Sequence, residues 1–454
     1  MGVKLDWQVE AERVHNRVGE DPRSRRRRRL RRLRVTVLIL AATLVMGTIG
    51  ALILSRLSYV EGVIERSLLE TVQAEIAALR IGNYPDFIAL QRSSSDAWFQ
   101  VQTEKFYRYQ DLKSSAGLNL TGVVSSIAVD SQRGRVVLEE VLNGVLHQTV
   151  WFYWRYTDGW RHVPSDLTFW GETSSLKTPH LTVNYHTLDT ALAGTLSERA
   201  ERWIVEGCAL LACETPPVLT FEIIPDPGLT LGADPNRPDT ILIPSPLASL
   251  ERARADQPIS ASLEDQIALE VVHQLMGKLA AWADPAPGAD AAWLRASLVE
   301  SIVSSFTGRS DPARSAFMES LKGSYGTALM GRLARELKPD STLNLLASMV
   351  GTSVDLLAVD WRPFFQWRLD IEKTLLTRGD QYSVIALWDA ANPASQDLLR
   401  ARLNDPSAAS AQVIGVSIAP GGEGVARAVV QVTVGDTPGT LIWRLVEGTW
   451  KRSG

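Results

Sequence analysis

Residues 262–282 read SLEDQIALEVVHQLMGKLAAW. Leu263, Ile267, Val271, Leu275 and Leu279 recur every fourth position, with Ala268, Val272 and Met276 beside them. A helix turns once in 3.6 residues, so this spacing gathers the apolar side chains into one stripe. It predicts a single long helix with a buried face. Glu270 and His273 sit one turn apart on that helix. Read alone, they are an ordinary polar pair on a core helix.

Working outward, the segment 178–376 begins with HLTVNYHTLDT, an alternating strand, followed by the helical ALAGTLSERAERWIVEG. PVLTFEIIPDPG and DTILIPSP read as further strands punctuated by Pro and Gly, and from Leu263 onward the pattern is mostly helical. Before it, LSYVEGVIERSLLETVQAEIAALR (57–80) has helical periodicity, and a second helical stretch covers PDFIALQRSS and Trp98–Tyr109. LTGVVSSIAVDS, GRVVLEEVL and LHQTVWFYWRYTDGWRHV then read as β-branched and aromatic strands. Helices followed by a meander predict an α+β unit over 57–172.

A shorter form of that unit recurs at 364–454. GNYPDFIAL (82–90) aligns without gaps with GDQYSVIAL (379–387), and FYWRYTDGWRHV (152–163) answers LIWRLVEGTWKRS (441–453). Trp154 and Trp160 are expected to correspond to Trp443 and Trp450, give or take one residue of loop. Two matches in the same order point to duplication.

The net charge of −4 conceals an asymmetry. Residues 1–34 hold twelve Lys or Arg against five Asp or Glu, a net +7, which leaves −11 for the rest. Nine arginines lie between Arg23 and Arg34 and abut VTVLILAATLVMGTIGALIL (35–54), twenty residues without a charge. At 1.5 Å per residue that stretch matches a hydrocarbon core of roughly 30 Å, and massed arginines mark its cytoplasmic flank. The expectation is a signal-anchor transmembrane helix at 35–55, single-pass in a bacterial cell membrane. The N-terminus is then cytoplasmic, residues 56–454 extracytoplasmic, and Arg23–Arg34 set against anionic lipid headgroups. The charged region before the span is longer than a cleaved signal has, and no A-x-A site follows it. The acidic remainder disfavours nucleic acid as a partner.

Cys208 and Cys213 are the only cysteines. Outside the cytoplasm a close pair is a possible disulfide. On a continuous helix residues five apart point about 140° apart, so the bond requires the helix to end near Gly207. The alternative is two small buried thiols.

The units at 57–172 and 364–454, helices then a meander closing on a two-Trp hairpin, resemble the nuclear-transport-factor-like or ketosteroid-isomerase-like cone fold. That resemblance implies a curved sheet wrapped on a long helix. Neither copy offers an acid/base pair assignable from sequence, and the aromatics read as core. The segment 178–370 resembles a gluzincin, or peptidase MA-like, domain. In that family H-E-x-x-H puts two imidazoles on one zinc with the Glu as general base, and a Glu on a following helix completes the ligands. Here Leu269 stands for the first His, Glu270 for the base and His273 for the second His. WLRASLVES (293–301) answers the family's W-L-x-E-G-x-A-E with Trp293, Leu294 and Glu300, but Ala296 holds the ligand position and Ser297 that of the Gly. SYGTALMGRLARELKP and MVGTSVDLLAVDWRPFFQW look like its later landmarks.

The resemblance thus implies a peptidase fold with a decayed metal site, Glu270 and His273 being vestigial and no cofactor held. Glu300, one turn beyond Ala296, is the nearest substitute carboxylate, and His180 and His186 on the first strand are the remote imidazoles. Three functions follow as expectations: a non-catalytic binding or scaffolding module on a membrane anchor, a zinc metallopeptidase with atypical ligands, or small-molecule binding through a cone-like unit. No phosphate-binding glycine loop, dinucleotide fingerprint or serine nucleophile elbow is present.

Overall fold

The computed structural model describes residues 22–279, 284–309, 311–404, 411–420 and 424–454. Residues 1–21 of the Arg-rich segment and 280–283 of the loop after the central helix lie outside the described residues. The chain is mixed α+β and forms two compact units. The first comprises residues 1–115, 122–137 and 151–164, and the second 116–121, 138–150 and 165–454.

Helix α1 (Pro22–Ile81) is unbroken over 60 residues. The sequence divides this stretch into a span at 35–55 and a helix at 57–80. The structure joins them, because no proline intervenes and a formed helix propagates at little cost. Its first part is long and apolar enough to cross a membrane, with none of the most apolar window buried by protein. The last part obeys another rule: Leu68, Val72, Glu75, Ile76 and Leu79 are buried at helical spacing. Helices α2 (Tyr84–Ala89) and α3 (Asp96–Ser115) follow. Strands β1 (Asn119–Asp130), β2 (Arg133–Leu142), β3 (Val145–Tyr156) and β4 (Gly159–Val163) then pair in chain order. Asn143 and Gly144, both at positive φ, make the two-residue turn between β2 and β3, the conformation whose twist suits a hairpin.

The second unit opens with a mixed sheet of β5 (Thr173–Lys177), β6 (Leu181–His186), β7 (Leu219–Ile224), β8 (Gly232–Asp234) and β9 (Arg237–Pro244), ordered β5-β6-β7-β9-β8. β6, β7 and β9 are parallel, and the edge strands β5 and β8 run antiparallel. Parallel neighbours need a crossover; α4 (Thr190–Leu211) supplies it between β6 and β7. Leu181, Val183, Tyr185, Leu219, Phe221 and Ile223 alternate inward to meet it. The two-residue β10 (Ala253–Arg254) adds to β3 at Gln148 and His147. Helix α5 (Ala261–Leu279) is the predicted central helix, with Ile267, Val271, Val272 and Leu275 fully buried. It packs on α4, on β8 and β9, and on α6 (Asp290–Thr307). Helices α7 (Pro312–Tyr325), α8 (Ala328–Glu336) and α9 (Leu343–Val350) complete this part.

The C-terminal segment repeats the first unit's order. Helices α10 (Arg362–Arg378), α11 (Gln381–Ala386) and α12 (Pro393–Asn404) precede β11 (Ala411–Ala419), β12 (Arg427–Val434), β13 (Thr437–Val446) and β14 (Thr449–Arg452). Asn83 caps α2 by accepting from the Asp86 amide, and Asp380 caps α11 from the Ser383 amide. The second residue past each short helix forms an isolated parallel bridge to the last strand, Gln91 to His162 and Trp388 to Arg452. Aligning the two hairpins on their turns corrects one sequence equivalence. Trp160 pairs with Arg155 and Trp450 with Leu445, so these tryptophans correspond and both are buried. Trp154, however, is 46% exposed, and the fully buried counterpart of Trp443 is Tyr153. A slip of one residue along a strand moves a side chain to the other face; shared W-R letters concealed that slip.

Trp443→Ala should therefore cost about 3–5 kcal/mol, as for other large core truncations, while Trp154→Ala should stay within about 1 kcal/mol. Urea denaturation of the two variants checks this. Equal losses would contradict a β3 register that turns Tyr153 inward and Trp154 outward.

Candidate functional site

Glu270 and His273 lie on α5 one turn apart, with His273 exposed and Glu270 half-buried. His273 Nδ1 is 3.7 Å from Glu270 Oε1, beyond hydrogen-bond reach. Leu269 is partly buried and packs on the core. Ala296 on α6 is half-buried beside the fully buried Ser297. Glu300, the nearest spare carboxylate, is otherwise engaged: its Oε1 accepts from the Asp311 amide at 2.7 Å, just before α7. The remote imidazoles are each oriented through Nδ1. His180 Nδ1 meets Glu201 Oε1 at 2.7 Å, and His186 Nδ1 donates to the Gly171 carbonyl at 2.9 Å.

Among the described residues no three His, Cys, Asp or Glu side chains converge to hold a metal ion. A catalytic zinc takes three protein ligands, and the donor set around α5 offers one imidazole and one loosely placed carboxylate. It does not fit zinc. No hydrolytic step is derived through this face of α5.

The first unit holds a polar constellation that sequence reading missed. Glu75, on the buried face of α1, is fully enclosed. Its Oε1 accepts from Gln91 Nε2 at 2.8 Å and from His162 Nδ1 at 2.7 Å, and its Oε2 from the Tyr153 hydroxyl at 2.8 Å. The imidazole of His162 stacks on Trp151 and Tyr153 at 5.1 and 5.0 Å and meets Trp98 edge-on at 5.5 Å. Burial, then the negative charge of Glu75, hold the Tyr153 phenol well above its ordinary value, so it remains a donor. Nearby, Gln91 Oε1 and Trp98 Nε1 are buried without a hydrogen-bond partner, as is Gln102 Nε2 one turn along α3 from Trp98.

The C-terminal segment answers with Glu372, equally buried, whose carboxylate is held by Arg402 Nε at 2.9 Å and by Arg452 Nη1 at 3.0 and 3.1 Å. Glu372 precedes Leu387 by the same interval that separates Glu75 from Leu90. Carrying the ungapped 82–90/379–387 match seven residues upstream lines up the two glutamates, and that was the available signal.

Cys208 and Cys213 are both thiols, the first buried and the second half-buried. The helix does not end near Gly207: α4 continues to Leu211, and Ala212 adopts a left-handed conformation at φ 50°, ψ 48°. The Ala212 amide donates to Ala209 and the Cys213 amide to Cys208, at 3.2 and 2.9 Å. This is a Schellman reversal, which satisfies the last carbonyls and folds the following residue back onto the helix. It brings Cys213 beside Cys208 without any break inside the helix. Burial and then the neighbouring Cys208 thiol push the Cys213 pKa up to about 12.

Compared with known proteins, the chain matches no family model and no curated protein.

Removing the Glu75 carboxylate strands three donors inside the first unit. Glu75→Ala is expected to destabilise by about 3–5 kcal/mol, the cost of breaking a buried charged network from one side. Loss of thermal stability with retention of helical circular dichroism in the remainder would agree; an unchanged melting temperature would not. The raised Cys213 pKa has its own test. The unfolded thiol ionises near its ordinary value of 9.0 and the folded one near 12. The folded chain therefore binds more protons in that interval, and this contribution to stability is lost as pH rises from 9 towards 12. Under reducing conditions, alkylation of Cys213 in the Cys208→Ser variant should accordingly remain slow at neutral pH.

Proposed function

We propose that this chain is a single-pass membrane-anchored protein whose bulk lies outside the cytoplasm of a bacterial cell, with residues 178–370 forming a gluzincin-like module that binds or scaffolds without hydrolysing. The observation that carries this reading is the state of α5. Leu269 belongs to the hydrophobic core where a first ligand is needed, Ala296 offers no donor, and Glu300 is spent on the Asp311 amide. A mixed sheet with an antiparallel edge strand, β8, lies against the same helix. Under this reading the sheet and α5 are the frame of a peptidase-like module with the chemistry removed. The anchor rests on α1, whose apolar length follows directly on the exposed Arg26, Arg27, Arg29, Arg31, Arg32 and Arg34.

The full chain purified in detergent, exposed to zinc and dialysed, is expected to retain no zinc by elemental analysis. About one zinc per chain would restore the metallopeptidase reading. Leu269→His combined with Ala296→Glu should create a zinc site, since it returns the two missing donors to adjoining helices. A folded double variant that still binds none would sink the gluzincin resemblance itself.

A second reading, small-molecule binding inside the first unit, is favoured by the orphaned Gln91 Oε1, Trp98 Nε1 and Gln102 Nε2 around the Glu75–His162 pair. Buried polar atoms without partners cost about 1–3 kcal/mol each, a deficit that a small polar ligand offsets. Under this reading a small polar compound raises the melting temperature, and Gln91→Leu abolishes the shift. A shift that survives Gln91→Leu would place the compound elsewhere.

A further inference from the structure

The turn at the end of α4 puts the two cysteines of the chain within covalent reach. A path of bonds and one hydrogen bond runs from the Cα of Cys208 through its carbonyl to the Cys213 amide, 2.9 Å away, and on to the Cα of Cys213. Fully stretched, that path is about 7 Å long. The bends at carbonyl and amide shorten it, into the range of about 4.4–6.8 Å that a disulfide spans. The Schellman relation alone fixes this proximity, because its longer hydrogen bond closes on these two residues.

We propose that Cys208 and Cys213 are joined by a disulfide in the mature protein, and that the bond locks the chain reversal at the C-terminal end of α4, the turn that Arg335 of α8 grips. This rests on the reading that residues 56–454 lie outside the cytoplasm. The oxidant is a protein disulfide of the thiol–disulfide oxidoreductase class. The Cys213 thiolate, half-exposed, attacks one sulfur of that disulfide, forming a mixed disulfide and releasing the other sulfur as a thiolate. The Cys208 thiol then loses its proton and attacks the Cys213 sulfur, expelling the second oxidant thiolate. Two electrons and two protons leave the cysteine pair, and the oxidant becomes a dithiol. The high Cys213 pKa keeps its thiolate scarce, so the uncatalysed reaction is slow and an enzyme oxidant is the effective partner.

The staple acts on a crowded joint. Arg335 of α8 donates through Nη1 to the carbonyls of Leu211 and Ala212 at 3.0 and 3.3 Å. Gly331 faces the same turn so closely that a Cβ there would stand 2.5 Å from the Leu211 oxygen. A left-handed non-glycine residue such as Ala212 is a strained element, and a covalent link across it holds the carbonyls where Arg335 grips them.

The test uses the full chain in its native membrane. Cells are quenched in acid, free thiols are alkylated with N-ethylmaleimide, and the peptide carrying both cysteines is weighed with and without prior reduction. The expected result is no alkyl group before reduction and two after it. Reduction should also lower the melting temperature by several degrees in the native chain and leave Cys208→Ala/Cys213→Ala unmoved. Two alkyl groups without reduction overturn the proposal. Incubating the purified protein with oxidised glutathione, and digesting intact cells from outside, then locate the failure. If no disulfide forms in glutathione, the geometry is at fault. If it forms, but residues 56–454 resist external protease, the compartment reading is what failed.

Discussion

A carboxylate taken out of water must be met by donors from every side, and this constraint organises both ends of the chain. Glu75 and Glu372 each lie on the buried face of a long helix, and each holds the last strand of the meander that follows. His162 and Arg452 supply the grip from that strand, next to the bridges made by Gln91 and Trp388. Because the partners come from segments far apart in sequence, Glu75 is not satisfied until α1, the residues after α2, β3 and β4 have assembled, nor Glu372 until α10, α12 and β14 have. An unpaired charge at such a depth costs several kcal/mol, so partly assembled forms are disfavoured. In the first unit a glutamine, a tyrosine and a histidine meet the carboxylate; in the C-terminal segment two arginines do.

The middle of the chain follows the opposite economy. On α5 the apolar stripe takes in Leu269, and the two polar residues on that flank, Glu270 and His273, stand 3.7 Å apart, beyond hydrogen-bond reach. The start of α5 is tied to its neighbours by ion pairs of Arg199 and Arg309 with the buried Glu264, and of Arg309 with Asp265.

Much of this was legible in sequence, and the reasons differ by element. The stripe of α5, the alternation in β6 and β7 and the apolar stretch of α1 are strictly periodic, and periodicity is imposed by the same geometry that burial rewards. That Leu269 and Ala296 cannot ligate a metal could also be read directly, since neither side chain carries a donor. Three features stayed hidden because their cause lies between segments. The hub at Glu75 needs Gln91, Tyr153 and His162, which no local pattern connects. The hairpin register depended on turn geometry, and the shared W-R letters pointed one residue astray. Cys208 and Cys213 met through a backbone reversal at an alanine, where a glycine would have announced it. Glu300 had the right spacing for a substitute ligand, but its direction was set by the start of α7.

The continuity of α1 has a mechanical consequence. Sixty helical residues extend about 90 Å, and no hinge separates the apolar length from Leu68, Val72 and Leu79 in the core of the first unit. The helix is thus a lever with one arm apolar and long enough to cross a membrane and the other cast into a folded body. A lean imposed on the first arm is delivered to the second, and a twist of the body is felt along the shaft. Inserting a proline or paired glycines near Arg56 would convert the rigid shaft into a tether.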